Sequence, residues 1–393
     1  MECPTKEKFK MKKIIFFIPA TLSVALILYS TGGNHMNINK SEFIRRDNDR
    51  LVVGKDDEEI FLRGINISSS KASKPDESVY KDVAGMNMNV VRLHLSYRFF
   101  YDAGPTNEYK ESAWVWLNEH IKFAKKYEIF LILQLSNIEG AQFVPVKGVP
   151  YVYRIWEDKQ CQNNFSSLWQ EIAKRYKDER QIAGYGLFLE PVCSKSVDQW
   201  KRLADDTIIK IREVDMNHVI FIERAYGENE TRREVSKIEL PIDKAFFLVN
   251  DDNVVYEFYF FERDEFTHQF APWRPEPEIQ KRLAYPDNEY EIIYQEEKGL
   301  KKSFPFDKNY LDFYVQRQLE FGKEHKVPMS VWGFGALKTC FQNNRGGYTW
   351  LKDAVDLFNE HRLHWTFYVY ENEQFGTIAD EKIKKILRDA LYD

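Results

Sequence analysis

The sequence predicts a closed barrel of eight parallel strands, each followed by helical chain. Apolar, β-branched runs recur eight times and alternate with amphipathic helical stretches. The runs are nearly continuous in apolar residues, the pattern of strands covered on both faces, and such alternation builds a parallel sheet sheathed by helices. An open doubly wound sheet would carry a Gly-rich phosphate loop after a strand, and none is found. Eight units close a (β/α)8 barrel, whose usual core of ~250 residues leaves room for insertions in a chain of 393.

The elements follow in order. Lys12 and Lys13 precede an uncharged apolar run at 14–29, and Ser30-Thr31-Gly32-Gly33 then offers small residues for cleavage. Residues 1–33 read as a signal peptide or an uncleaved N-terminal anchor, since the run falls just short of a comfortable span. The rest, 40–393, reads as one barrel domain without repeats or linkers. Residues 50–60, which overlap the run LVVGKDDEEIFL, read as a short hairpin plugging the barrel bottom. Strands are predicted at 61–67, 89–95, 129–135, 183–189, 218–223, 254–261, 328–334 and 364–370. Helices are predicted at 78–86, 112–126, 165–176, 197–214, 310–324, 348–361 and 380–392. The segment after strand five is the least regular. A long insertion at 262–306, rich in Trp, Tyr, Pro and charge, follows strand six on the side where barrel active sites form.

Charge and composition exclude several classes. With 56 Lys+Arg against 61 Asp+Glu the net charge is −5, which gives no electrostatic footprint for nucleic acid. A hydrophobic share of 44% excludes disorder. Aromatic residues reach 15%, enough for a large core and a cleft lined with flat rings. Cys161, Cys193 and Cys340 match no zinc spacing and allow at most one internal disulfide; the expectation is small buried thiols. Asn66, Asn164 and Asn229 match the glycan acceptor pattern, which matters only in a glycosylating host. Neither a metal nor an organic cofactor is implied.

A barrel carries its chemistry at the C-terminal strand ends. In order these offer Asn66, Arg92 with His94, Ser136 with Asn137, Leu189-Glu190-Pro191, Glu223, Tyr259 with Glu262, Trp332-Gly333 and Trp365. Carboxylates for acid/base work beside flat rings for the apolar face of a pyranose make this a sugar site.

FLRGINIS, NVVRLHLS, IAGYGLFLEPV, VVYEFYFFERDEFTHQ, VPMSVWGFGA and HWTFYVYE resemble, in order, the strand segments of glycoside hydrolase family 5. The family comprises cellulase-like and mannanase-like retaining enzymes on a (β/α)8 barrel. The resemblance implies descent from hydrolysis of β-glucans or mannans, and a carbohydrate partner. Arg92 matches the strand-two arginine that orients the nucleophile, Glu190 the strand-four acid/base, and Trp365 the strand-eight platform. The departures are severe. Ser136 stands for the strand-three His, Leu189 for the Asn that holds the sugar 2-hydroxyl, and Tyr259 and Phe261 for the strand-six His and Tyr. Trp332-Gly333-Phe334-Gly335 stands for Gly-Glu-Phe-Gly, so Gly333 occupies the nucleophile position. Retaining hydrolysis needs two carboxyls roughly 5–5.5 Å apart, and inverting hydrolysis needs two roughly 6.5–9.5 Å apart.

The expectation is therefore a secreted or extracytoplasmic relative that has lost ordinary retaining hydrolysis and still binds carbohydrate. Arg92, His94, Ser136, Tyr259 and Trp365 would shape its cleft. One alternative is an active hydrolase or transglycosylase that recruits Glu223, Glu257 or Glu262; for each of these a structural role is the stronger expectation. The other is a non-catalytic interaction protein whose cleft is closed by Leu189, Phe261 and Trp332. Without a nucleophile to neutralise, Arg92 is expected to seek another acid, Glu190 first, with Glu257 also within range on the inward face of strand six. His94 reads as a satisfied barrel histidine rather than a base. Trp156 and Trp273 sit in long loops, where exposed rings would suggest ligand stacking, though self-packing of the loop is the commoner fate.

Overall fold

A computed structural model of the chain describes residues 42–102, 108–141, 153–228, 237–239, 242–272, 283–295 and 301–391. The apolar run at 14–29, Trp273 and Asn229 lie outside the described residues. Eight strands form the barrel: β1 (Arg63–Ile67), β2 (Val90–Ser96), β3 (Phe130–Asn137), β4 (Ile182–Gly186), β5 (Val219–Glu223), β6 (Val254–Phe260), β7 (Met329–Phe334) and β8 (His364–Phe367). They pair in chain order, all parallel, and β8 closes on β1. The predicted (β/α)8 architecture is the one observed.

Among the described residues seven helices of nine or more residues pack outside: α1 (Glu77–Gly85), α2 (Glu111–Lys126), α3 (Lys159–Tyr176), α4 (Asp198–Arg212), α5 (Lys308–His325), α6 (Gly347–Glu360) and α7 (Glu381–Asp389). Four of them, α1, α3, α5 and α7, start where an Asp side chain accepts backbone N–H groups of the first turn: Asp76, Asp158, Asp307 and Asp380. Such a cap satisfies donors that the helix cannot, typically for about 1 kcal/mol. After β5 the described residues form a strand pair, Tyr226–Glu228 with Lys237–Glu239, and a short helix, Ile242–Ala245. The insertion after β6 contains a hairpin of Asp287–Gln295 with Lys301–Phe306. No helix among the described residues is long and apolar enough to cross a membrane.

The N-terminal strands Arg45–Asp47, Arg50–Val53 and Glu58–Glu59 form a small antiparallel sheet. Ile44, Leu51, Val53, Ile60 and Leu62 cluster with Val90, Phe130, Ile132, Ala183, Val219, Phe221 and Val255. The second group lines the lower interior of the barrel, so the hairpin does plug the bottom. Strand alternation then stacks polar residues above it: Arg92, Gln134 and Glu257 in the next layer, His94, Ser136 and Tyr259 above. Trp365, Phe334 and Phe358 belong to the other core, between the strands and the helices.

A buried polar cluster sits at the N-terminal end of β5. Nδ1 of His218 faces Oδ2 of Asp215 at 2.5 Å, Tyr185 donates its hydroxyl to the same oxygen at 2.8 Å, and Asn217 N–H reaches Oδ1. Burial pushes the Asp215 carboxyl up, but His218 and these donors outweigh it and hold it below the ordinary range. A carboxyl depressed in the folded state contributes stability above its unfolded value, about 3.9, and loses it as pH falls through the folded value. Unfolding free energy of the wild type should therefore drop more steeply below about pH 4 than that of Asp215→Asn. Equal acid slopes in urea titrations between pH 5 and 2 would remove Asp215 from the acid response.

Candidate active site at the barrel mouth

Arg92 is fully buried on β2, and its guanidinium meets Glu257 through both terminal nitrogens, Nη1 at 3.0 Å from Oε2 and Nη2 on Oε1. Nη1 also donates to Oε1 of Gln134 at 2.6 Å, and Gln134 passes the chain on to the Gly186 carbonyl at 3.0 Å. A side chain at 186 could not coexist with this arrangement, because a Cβ there would lie 2.2 Å from Gln134 Oε1. Burial pushes the Glu257 carboxyl above its ordinary value, while the Arg92 charge and the Ser330 hydroxyl act the other way. Arg92 thus takes Glu257 as its acid, and the expected Arg92–Glu190 pair is not the one formed. β6 brings Glu257 across the barrel on the same level as Arg92, whereas Glu190 lies beyond the end of β4.

One layer up, His94 bonds Asn66 Oδ1 at 2.8 Å, and Asn66 donates to the carbonyls of Trp332, Thr366 and Phe367. Burial and the neighbouring Arg92 charge push the imidazole down to about 3, so it is neutral near pH 7. Ser136 is half-buried and donates to the Leu95 carbonyl at 3.1 Å. Trp332 fills the space beside His94, Tyr259 and Phe261, with ring centres 6.4, 6.4 and 6.5 Å apart, and its indole N–H has no partner among the described residues.

Gly333 pairs in register with Tyr259. A Cβ built on it would meet only the Phe261 ring at 3.9 Å and Tyr368 Cβ at 4.0 Å, ordinary van der Waals contacts. Neither close approach nor a left-handed backbone requires glycine here.

Glu190 has φ of +50°, in the left-handed region that non-glycine residues seldom adopt. Its N–H donates to Oε2 of Glu223 at 2.6 Å, and Tyr226 donates its hydroxyl to Oε1 at 2.9 Å. Tyr226 stacks flat on half-buried Tyr259, ring centres 5.1 Å apart and planes 7° apart. Glu262 accepts the Tyr310 hydroxyl on α5. All three candidate replacement carboxylates are therefore bonded into the scaffold: Glu223 to Glu190 and Tyr226, Glu257 to Arg92, Glu262 to the helix shell.

Trp365 requires a correction. It is 1% exposed, donates to Asn359 at the end of α6 and packs edge-on to Phe334. Alternation along β8 points Trp365 and Phe367 outward and Thr366 inward; the next inward residue is Tyr368. Tyr368 is half-buried among Phe261, His94 and Phe375. Burial and then the Glu190 charge push its phenol up to about 12. The strand-eight ring of the cleft is thus Tyr368, which counting alternate positions from His364 would have found. Gln134, two residues before Ser136, was legible by the same count. Trp156 is buried, stacked on Phe188 at 5.6 Å, and donates to the Val192 carbonyl, so it serves the loop's own packing. The three cysteines are separate buried thiols. Among the described residues no cluster of three His, Cys, Asp or Glu is gathered as for a metal ion.

The family model for cellulase, glycosyl hydrolase family 5, matches residues 53–374. Endoglucanase C of Acetivibrio thermocellus is 26% identical over 314 residues, 78% of this chain and 87% of that enzyme. Among solved structures, Thermotoga maritima Cel5A in complex with cellobiose superposes with a TM-score of 0.63 at 19% identity, covering 84% of this chain and 97% of that one. The same enzyme in complex with mannotriose gives 0.63 at 18%, with coverages of 84% and 97%.

Proposed function

The chain belongs to the cellulase family, glycosyl hydrolase family 5, and from that premise we propose that it binds β-linked carbohydrate without ordinary retaining hydrolysis. The observation that carries this reading is Gly333: the position that the family resemblance gives to the nucleophile has no side chain, although its surroundings would accept one. Glu190 remains at the acid/base position, with Tyr368 and the Tyr226–Tyr259 stack as the rings beside it. Cellobiose and mannotriose bind a structural relative, which makes β-glucan and β-mannan fragments the first ligands to try. The bonds already made by Glu223, Glu257 and Glu262 weigh against a relocated nucleophile, since each would have to leave a buried partner. The apolar run at 14–29 would export the protein or hold it at a membrane.

The test is turnover of activated aryl β-glycosides, β-glucans and mannans, with and without azide. Azide can occupy the space above Gly333 and attack in place of the absent carboxylate. The expected result is no hydrolysis without azide and glycosyl azide with it. Hydrolysis without azide sinks the reading. No product under either condition, together with no oligosaccharide binding, would favour the interaction protein, whose cleft Trp332 and Phe261 fill.

A further inference from the structure

The turn that presents Glu190 is tied on every side. The N–H of Leu189 donates to the Leu135 carbonyl at 3.1 Å, and that of Tyr226 donates to the Pro191 carbonyl at 2.9 Å. Between them the Glu190 N–H reaches Oε2 of Glu223 at 2.6 Å, with its backbone at φ +50°. A side-chain-bearing residue persists in that region only where its surroundings over-determine it. Glu223 is itself fixed: it is 2% exposed, pairs in register with Glu257, and receives the Trp200 indole N–H on its backbone carbonyl at 2.9 Å. Its other carboxylate oxygen takes the hydroxyl of Tyr226, whose ring carries Tyr259 at 5.1 Å.

We propose that Glu223 is the positioning residue of the cleft, locking the Glu190 turn and the Tyr226–Tyr259 stack into one register for a β-linked oligosaccharide. The proposal rests on the carbohydrate reading above. The chemistry demands a carboxylate: two donors, an N–H and an O–H, converge on its two oxygens, and an ionised carboxylate is acceptor-only. Glutamine must turn its NH2 toward one of those donors. Aspartate keeps both acceptors but stops one methylene short. The charge strengthens both bonds, and the bonds hold the acid's backbone rather than its proton. Glu223 thereby acts on a ligand only through Glu190 and Tyr259.

The experiment is hydrogen–deuterium exchange at residue resolution on the full chain, with calorimetric titration of cellopentaose and mannopentaose, for Glu223→Gln, Glu223→Asp and Tyr226→Phe. Glu223→Gln should speed exchange of the Glu190 amide by about 10- to 100-fold, the scale of one hydrogen bond to a charged group. It should weaken binding of the pentaose by about 10-fold. Glu223→Asp should recover part of both. Tyr226→Phe, which removes only the hydroxyl, should weaken binding and leave the Glu190 amide slow. The proposal is overturned if that amide stays as slow in Glu223→Gln as in wild type, or if exchange rises across the whole barrel instead of locally. A wild type that binds neither sugar, but whose Glu190 amide still depends on Glu223, overturns the carbohydrate reading and leaves the lock standing.

Discussion

Glu257→Gln should lower the unfolding free energy by about 3–5 kcal/mol, the scale seen when one member of a buried ion pair is removed. Arg92 has no exposed surface, and Glu257 meets it with both carboxylate oxygens. Glutamine offers one acceptor in place of two and no charge, so the guanidinium is left among Phe221, Gln134 and apolar walls without its counter-ion. The cost falls on the partner that remains. A double variant, Arg92→Met with Glu257→Leu, should therefore recover most of the loss, because a well-packed apolar pair can replace a buried ion pair at little net cost. Urea unfolding of the wild type, Arg92→Met, Glu257→Leu and the double variant measures the coupling. Additive effects would mean that the pair does not hold this layer together.

Gly333→Glu alone should leave hydrolysis of aryl β-glycosides close to wild type, whereas Gly333→Glu with Glu257→Gln should raise kcat/KM by about 100-fold. The backbone accepts a side chain there, since its first atom meets nothing closer than 3.9 Å. It enters, however, above a layer in which Arg92 is already neutralised by Glu257. A second carboxylate there is a buried charge without a partner, and such a group takes up a proton in preference to serving as a nucleophile. Releasing Arg92 restores the counter-charge. The gain stays well below the several orders of magnitude that a nucleophile is worth, because Ser136, Leu189 and Phe261 still stand where the family resemblance expects residues that hold sugar or nucleophile. Mass spectrometry after incubation with a 2-fluoro aryl glycoside should find the glycosyl adduct on the double variant only. Equal activity in the two variants would show that Glu257 does not compete for Arg92.

The barrel was legible because a parallel barrel writes itself into local sequence. Strands covered on both faces are continuous apolar runs, and Asp76, Asp307 and Asp380 mark helix starts within two residues of the predicted ones, whereas Asp158 starts α3 at Lys159, well before the predicted 165. The misplaced platform ring has a definite cause. Trp365 was selected by residue type, while strand parity, set by His364 and Thr366, turns it toward α6 and brings Tyr368 inward. Trp156 met the commoner fate of a loop ring, self-packing, and what it folds back upon, here Phe188 and the Val192 carbonyl, was set only by the tertiary structure.

Residue identity alone determined the run of eight strands, the glutamate at 190 and the glycine at 333, since each is a matter of order along the chain. Which acid neutralises Arg92 was decided only by barrel closure, which carries Glu257 across 165 residues of sequence to the same layer. The same closure sets β5 beside β6 and brings Glu223 beneath the Glu190 turn, where backbone and side chain meet over 33 residues. Hydrogen bonds and ion pairs act over a few ångströms, so their partners are chosen by register between strands and not by distance along the chain.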